Sequence, residues 1–494
     1  MQNNEAEQKK RKYQLIEILK NHFEKWKQSK KLNAMSKESL KYYHDEFDIK
    51  ENKETEIPND ENIRQNCLWL MEIYPPESIN NLITCLEGLD WKNTFGSSKN
   101  DKLSEKIKNI RENNLYSWHN LGYIVPHNKK SLLPSKESIL PFGVRHIKLS
   151  LLHSISSTTI LIFQFIFDDE ASSRLEKTIN KKFSTYVEKI KNGNQYITPI
   201  SQKMSSLVQL KKSIYFDCIN WIKDNLQGYY TANNLIDKMP ICDFITLDKA
   251  TPFPNKSGLP NSYLHILNMN YPDNVWLPDD LDGLYFRFSI SKDQRNPYMQ
   301  LVGKFSEILK NKNLKHYGGK SKNGLVNYLK YFDNTLAMFA LFYLYKTYEW
   351  QVSKIRDEIS NINISKLKKA SLQLNETSKD FAILDRNLPF FTYEIKEYCR
   401  NKKLFFQNVY TFHRMKEDKH KRELMNEIRI SLKKNSKILL TAHNNLRQSL
   451  STTSNIINSL SNEKLSRNSY KLQVIMCIMM LFMFIFTIFL SVSH

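Results

Sequence analysis

The chain has 494 residues, of which 41% are hydrophobic, so it is too apolar for a disordered polymer and long enough for two to four domains. Only 12 residues are Gly, which favours long, mostly helical elements. The formal net charge of +22 points to nucleic acid or an anionic membrane surface as a partner, although a general bias towards lysine codons explains it equally well.

The cysteines indicate a reducing environment. Six are present, they lie far apart, and none forms a Cys-x-x-Cys pair, which argues against a disulfide framework and a zinc site. The N-terminus is basic but lacks the apolar core of a secretory signal, so nothing argues for export of the bulk of the chain.

An amphipathic helix is predicted within residues 1–43. Apolar residues recur there at steps of three and four, and such a helix needs a surface to pack on. They are Tyr13, Leu15, Ile16, Leu19, Phe23 and Trp26. The polar stretch 44–62 has no periodicity and is predicted to be a linker.

Residues 63–119 are predicted to form a helical segment. Its first two helices are expected at 63–73 and 77–89, because Pro75 and Pro76 separate them.

Residues 120–310 are predicted to form an α+β or α/β domain, because strand-like and helix-like segments alternate there. Asp168 is expected to cap the helix that follows the second strand. The expected strands are 144–152, 158–167, 242–247 and 284–290, and the expected helices are 170–189, 203–226 and 297–310. The first two strands are close enough to form a hairpin, and the polar residues of 144–152 are expected to face solvent.

Residues 325–400 are predicted to be helical, without strands. The uncharged centre at 336–345 is too short to span a bilayer and is interpreted as a core helix. Further helices are expected at 363–388 and 391–400, with an interruption before Pro389.

Residues 401–471 are predicted to form a long basic helix, or coiled-coil stalk, because leucines recur every seven residues. A helix with that stripe exposes apolar surface, which either a second copy or the helix at 363–388 must cover. The predicted self-association seam, and with it a homo-oligomer, consists of Leu439, Leu446, Leu450, Ile457 and Leu460.

A basic patch lies at the start of this stalk. Residues 400–437 hold 12 Lys or Arg against 4 Asp or Glu. An anionic partner (nucleotide, nucleic acid or acidic protein) is therefore expected there. The patch comprises Arg400, Lys402, Lys403, Arg414, Lys416, Lys419, Lys421 and Arg422.

Residues 472–492 are predicted to be a single transmembrane helix in the lipid bilayer. They contain no charged residue, no Pro and no Gly, and about 20 apolar residues suffice to cross the hydrocarbon core. Lys464, Arg467 and Lys471 precede the span, so the bulk of the chain is expected in the cytoplasm, tail-anchored. Residues of the span include Leu472, Ile478, Phe482, Ile485 and Phe489.

Motifs for chemistry are weak. Gly-Lys-Ser at 319–321 has no preceding strand and no first glycine of a phosphate loop. Neither the acidic cluster Asp279, Asp280 and Asp282 nor the set His413, Glu417 and His420 has the spacing and surroundings of a metal site, so no metal ligands are assigned.

The order of an α/β domain, a long helix and a C-terminal span loosely resembles that of the CorA-type magnesium channels. That family has two membrane helices joined by a Gly-Met-Asn loop, and this chain has neither, so cation transport is disfavoured.

The leading interpretation is a self-associating sensor, effector or scaffold at the membrane. The alternatives are a membrane-tethered enzyme with its site in 120–310 and a nucleic-acid-binding protein held at the membrane.

Overall fold

A ten-stranded sheet, built from the strongly apolar segments of the chain, forms the centre of the mixed α+β part of the protein. This α+β part is called the head. The computed structural model describes residues 43–88, 103–112, 117–127, 135–190, 193–254, 262–288, 297–311, 314, 325, 329, 332–415 and 422–492. The amphipathic helix predicted within 1–43 and the Gly-Lys-Ser segment lie outside the described residues.

The strands are β1 (Ile63–Tyr74), β2 (Ser117–Pro126), β3 (Ser135–Ser138), β4 (Val144–Ile155), β5 (Thr158–Phe167), β6 (Tyr186–Ile190), β7 (Gly193–Ile197), β8 (Ile241–Leu247), β9 (Val275–Pro278), β10 (Leu284–Arg287), β11 (Tyr298–Lys304) and β12 (Phe412–Arg414). The large sheet has the order β12-β9-β10-β11-β8-β1-β5-β4-β2-β3, and β6 and β7 form a separate hairpin. Among the strands that the structure describes, only the pairs β8–β11 and β2–β3 are parallel, so the fold is α+β, one of the two predicted classes.

The longer helices are α1 (Asp48–Glu54), α2 (Ile79–Gly88), α3 (Leu103–Glu112), α4 (Asp169–Asn180), α5 (Pro199–Asn225), α6 (Phe332–Ser360), α7 (Leu367–Arg400) and α8 (Leu424–Val492). Short helical segments lie at Tyr43–Phe47, Pro76–Ser78, Tyr229–Ala232, Ile236–Lys238, Tyr263–Ile266, Phe305–Ile308 and Lys402–Phe405.

Helices cover both faces of the sheet. On one face, Trp221 of α5 packs edge-on against Phe163 and Phe165 of β5. On the other face, Phe339 of α6 packs 4.6 Å from Phe288, between ring centroids. The whole apolar centre of α6 at 336–345 is buried, as expected of a core helix.

The predicted β4–β5 hairpin is confirmed. Thr158 pairs with Ile155 next to the turn, and the antiparallel register continues to Val144 and Phe167. The predicted cap is confirmed too, because the Asp168 carboxylate accepts hydrogen bonds from the backbone N–H groups of Glu170 and Ala171 at 3.0 and 3.2 Å.

Two predicted helices are wrong. Residues 63–73 lie in β1, which pairs with β5 and β8 at the middle of the sheet, and 297–310 contains β11 followed by one helical turn. Both strands are covered on both faces, which removes the alternation that distinguishes a strand from a buried helix.

Three predicted boundaries also differ. The expected linker at 44–62 includes α1, held by Asp48, whose carboxylate accepts a hydrogen bond from the Thr185 N–H at 2.8 Å. The helix expected to reach 189 ends at Asn180, before β6. Pro389 lies inside α7. The residues near it, Leu388 and Phe391, are buried in the core.

The predicted stalk at 401–471 is not one helix. A helical turn at Lys402–Phe405 leads to β12, which pairs with β9 at the sheet edge, and α8 begins only at Leu424. The segment predicted to be a helical stalk therefore contains a strand, although the three residues of β12 are too few for a periodic signal.

Helices α6, α7 and α8 form a bundle beside the sheet. Lys354 of α6 lies 3.4 Å from Asp380 of α7, and Arg429 of α8 donates a hydrogen bond to the carbonyl of Cys399 at 3.1 Å. With Ile457 packed near Leu374 at the other end, α7 runs antiparallel to both neighbours.

Candidate functional site

The C-terminal part of α8 projects from the bundle. Ile457 is buried and Leu460 half-buried, whereas every described side chain from 462 to 485 is exposed. Lys464, Arg467 and Lys471 lie on this projecting part, and Arg467 pairs with Glu463 at 2.6 Å. A continuous helix therefore connects the packed bundle to the apolar end of the chain.

The residues predicted to lie in the bilayer are in this projection. Leu472, Ile478, Phe482 and Ile485 are 49–68% exposed, and Phe489 belongs to the helix but its side chain lies outside the described residues. No helix in the described part of the chain combines the length and apolar content needed to cross a membrane. The transmembrane span stays a prediction.

The predicted self-association seam is covered within the chain as far as Ile457, whereas Leu460 is half-buried. Leu439, Leu446 and Ile457 are 3–4% exposed, and Leu450 packs beside Ile362, Ala370 and Leu374 of the α6–α7 end of the bundle. Self-association through these residues is not needed to cover the stripe and stays a prediction.

A histidine belongs to the same buried face of α8. The His443 ring stacks on Phe381 of α7, and its Nε2 lies 2.9 Å from the Asp385 carboxylate, which Arg447 also contacts. Burial lowers the pKa of His443 although Asp385 raises it, so the neutral ring is favoured. His443 therefore joins α8 to α7 through Phe381 and Asp385.

The predicted basic patch is divided among several elements. Arg400 ends α7, Lys402 and Lys403 lie in the following turn, Arg414 is in β12, and Arg422 precedes α8. Lys416, Lys419 and Lys421 lie outside the described residues. An anionic partner there stays a prediction.

Sequence reasoning missed a polar cluster on the α5 face of the sheet. Asp243 of β8 is fully buried, and its carboxylate accepts hydrogen bonds from Lys211 Nζ at 2.7 Å, Tyr215 OH at 3.1 Å and Tyr298 OH at 3.2 Å. Its other oxygen accepts one from Gln65 Nε2 at 3.1 Å. Asp243 within an otherwise apolar strand is the signal that could have indicated this cluster.

Lys211 and Asp243 form a buried ion pair at the centre of this cluster. Burial opposes the charge on Lys211, but the attraction of Asp243, together with the hydrogen bond that Lys211 donates to Tyr298, raises the pKa of Lys211 above its ordinary value. Burial also raises the pKa of Tyr298 to about 12. A charged lysine and a neutral tyrosine, both bound to one carboxylate, favour a structural role over proton transfer.

A second buried pair lies on the α6 face. Asp333, in the first turn of α6, accepts hydrogen bonds from Ser150 Oγ at 2.7 Å and Lys148 Nζ at 3.2 Å. The prediction that these β4 residues face solvent is therefore wrong. The ion pair between Lys148 and Asp333 joins α6 to the sheet, and the side chain of Lys148 is only 12% exposed.

The acidic cluster forms the β9–β10 turn. Asp279 contacts His413 of β12, so the two residues join neighbouring strands. Glu417 and His420 lie outside the described residues. Among the residues that the structure describes, no group of three or more His, Cys, Asp or Glu is placed to hold a metal ion.

No protein-family model, curated protein or solved structure matches this chain.

Proposed function

We propose that this chain is a tail-anchored membrane protein whose α+β head and helical bundle are held at the cytoplasmic side of a bilayer by the end of α8. The supporting observation is the change in burial along α8. Its heptad face is packed as far as Ile457, whereas the side chains of residues 472–483, all apolar except Gln473, are exposed all around the helix.

Exposed apolar surface on this scale is costly in water, at about 25 cal/mol per Å². A bilayer removes that cost and leaves no backbone group unsatisfied, because every amide inside the span is bonded within the helix. In the sequence, the uncharged, mostly apolar run continues to residue 492. Leu472 lies twelve positions after Leu460, a rise of about 18 Å along the helix, so the bundle would lie close to the lipid headgroups.

The unbroken helix supports a role as an effector or scaffold. Because α8 is packed in the bundle and continues into the anchor, a load on the anchor reaches α7 through contacts such as Arg447 with Asp385. A flexible tether would not transmit such a load.

The test is extraction of the full-length protein from membranes with alkaline carbonate. The protein should stay in the pellet, and a variant lacking residues 471–494 should move to the supernatant. Protease added outside sealed vesicles of native orientation should leave the head intact. Full-length protein in the supernatant would refute the anchor, and a digested head would reverse the orientation.

A further inference from the structure

The heptad face of α8 changes from apolar to basic where the helix leaves the bundle. Ile457 is the last fully packed residue at one heptad position, and the next two residues at that position are Lys464 and Lys471. Arg467 occupies the other position, which Leu446 fills inside the bundle. Because a heptad position drifts only about 20° around the helix per repeat, the three cations lie on the side of α8 that packs on α7.

Three lysines from a distant part of the chain lie at the same end of the bundle. Ile457 packs with Ile362 and Ala370, which flank the connection from α6 to α7. The lysines of this connection and of the first turn of α7 are exposed. Together with the three cations of α8 they form one surface, the basic end surface, which comprises Lys366, Lys368, Lys369, Lys464, Arg467 and Lys471.

Few acidic residues oppose these charges. Residues 359–375 contain no Asp or Glu, and residues 448–471 contain only Glu463, which pairs with Arg467. The next charges along α6 and α7 are nearly balanced, because Lys354 bridges Glu358 and Asp380. The full set of these next charges is Lys354, Arg356, Asp357, Glu358, Glu376, Lys379 and Asp380. The basic end surface therefore holds six cations and one carboxylate, and it favours an anionic partner.

The basic end surface lies next to the predicted membrane span. Lys471 directly precedes Leu472, and Ile457 lies fifteen positions before Leu472, about 22 Å along the helix. Membrane helices tilt by about 20° on average. A tilt of α8 towards α7 lowers the lysines further, because the axes of packed helices are about 8 to 10 Å apart. A bilayer is thus the polyanion nearest to this surface.

Membrane orientation does not account for all six cations. The rule that cytoplasmic segments are basic depends on residues within about 15 to 20 positions of a span. Lys366, Lys368 and Lys369 lie far outside that range in the sequence. They also lie at the beginning of a helix, where a positive charge opposes the helix dipole, so they do not stabilise α7.

We propose that the basic end surface binds anionic phospholipid headgroups, so that α8 tilts and the connection from α6 to α7 rests on the bilayer. The proposal rests on the membrane anchor proposed above. Each basic residue near an anionic leaflet strengthens membrane partitioning about fivefold. Leu372, one turn after the lysines and 59% exposed, adds an apolar side chain to the same contact.

The experiment places a photo-crosslinking phenylalanine analogue at Leu372 in the full-length chain. The protein is reconstituted in vesicles of phosphatidylcholine alone and in vesicles containing about one third phosphatidylserine, an anionic lipid. Crosslinks to lipid should be about fivefold or more higher with phosphatidylserine. Raising the salt concentration to about 1 M, where screening acts over about 3 Å, should remove the difference.

A pair of charge reversals tests the surface. Lys368→Glu with Lys369→Glu should lower the lipid crosslinks about fivefold or more in the anionic vesicles. Carboxylates suit the start of a helix, so this variant should keep its fold. The matched control, Lys402→Glu with Lys403→Glu, makes the same charge change beyond the other end of α7, where both lysines are exposed. It should leave the yield unchanged, and an equal loss in both variants would overturn the proposal.

The outcomes separate this surface from the anchor. Full-length protein in the carbonate supernatant would refute the anchor and this proposal with it. Integrated protein whose crosslinks at Leu372 do not depend on phosphatidylserine would overturn the lipid contact and leave the anchor standing. Nucleic acid is the competing polyanion, so single-stranded RNA is added to the anionic vesicles. Lipid crosslinks should persist, and crosslinks to RNA in their place would assign the surface to nucleic acid and overturn the proposal.

Discussion

The Lys211 ammonium lies 2.7 Å from the Asp243 carboxylate between α5 and the sheet, and both groups are buried. A charged pair in this position fixes α5 over β8, because neither group can leave its partner without remaining charged in an apolar interior.

Replacing Asp243 with Asn should destabilise the head by about 3 to 5 kcal/mol, because Lys211 keeps its charge and loses its partner. Chemical denaturation of the full chain in detergent measures this. Adding Lys211→Met should recover most of the loss. Asp60→Asn, which removes an exposed pair with Lys249, should leave the midpoint unchanged. An equal effect of both Asp→Asn changes would contradict the assignment.

Glu72 should make the head less stable as the pH rises. Burial raises its pKa to about 7 from 4.5, although the carboxylate accepts hydrogen bonds from Ile73, Tyr230 and Thr231. A pKa raised on folding contributes stability below pH 4.5 that is lost as the pH rises to about 7, on the order of 3 kcal/mol. Glu72→Gln should remove this dependence, measured as the difference between wild-type and variant denaturation midpoints at pH 4.5, 6 and 8.

His153 should make the head less stable as the pH falls. It is 1% exposed, and burial together with Arg111 lowers its pKa from 6.5 to about 4. A pKa lowered on folding gives stability that is present above pH 6.5 and is lost as the pH falls towards 4. His153→Leu should flatten this part of the stability profile. A variant as acid-sensitive as the wild type would show that the imidazole is not responsible.

Leu446→Glu should destabilise the bundle by about 4 kcal/mol or more, because it puts a carboxylate into a covered apolar position. Leu465→Glu is the matched control, since Leu465 is on the same helix but is 64% exposed. Light scattering in detergent separates the two explanations of the heptad stripe. An oligomer that Leu446→Glu dissociates into folded monomers would favour self-association over intramolecular packing.

Phe482→Lys should impair membrane integration, because a charge at the bilayer centre costs roughly 2.5 to 3.5 kcal/mol on insertion scales. Tyr470→Lys is the control, because residue 470 lies just before the predicted span and a lysine there belongs with Lys471 and Arg467. Carbonate extraction compares the two. Equal retention of both variants would argue against a span centred near Phe482.

The sequence alone determined the features that depend on neighbouring residues. The β4–β5 hairpin, the Asp168 cap and the buried face of α8 could all be read from local patterns, because alternation, capping chemistry and a seven-residue repeat each act over short distances. The candidate anchor is likewise a property of the sequence, through the uncharged run 472–492.

The tertiary structure decided what lies against each of those faces. A heptad stripe specifies that Leu446 is covered but not whether α7 or a second chain covers it. Burial on both faces removed the strand signal of β1. The charge of Lys148 could be recognised as internal only once Asp333 was placed beside it, and the partner of Asp243 could be identified only once Lys211 was placed. Such contacts join residues more than 30 positions apart, and no periodicity within one element encodes the identity of a distant partner.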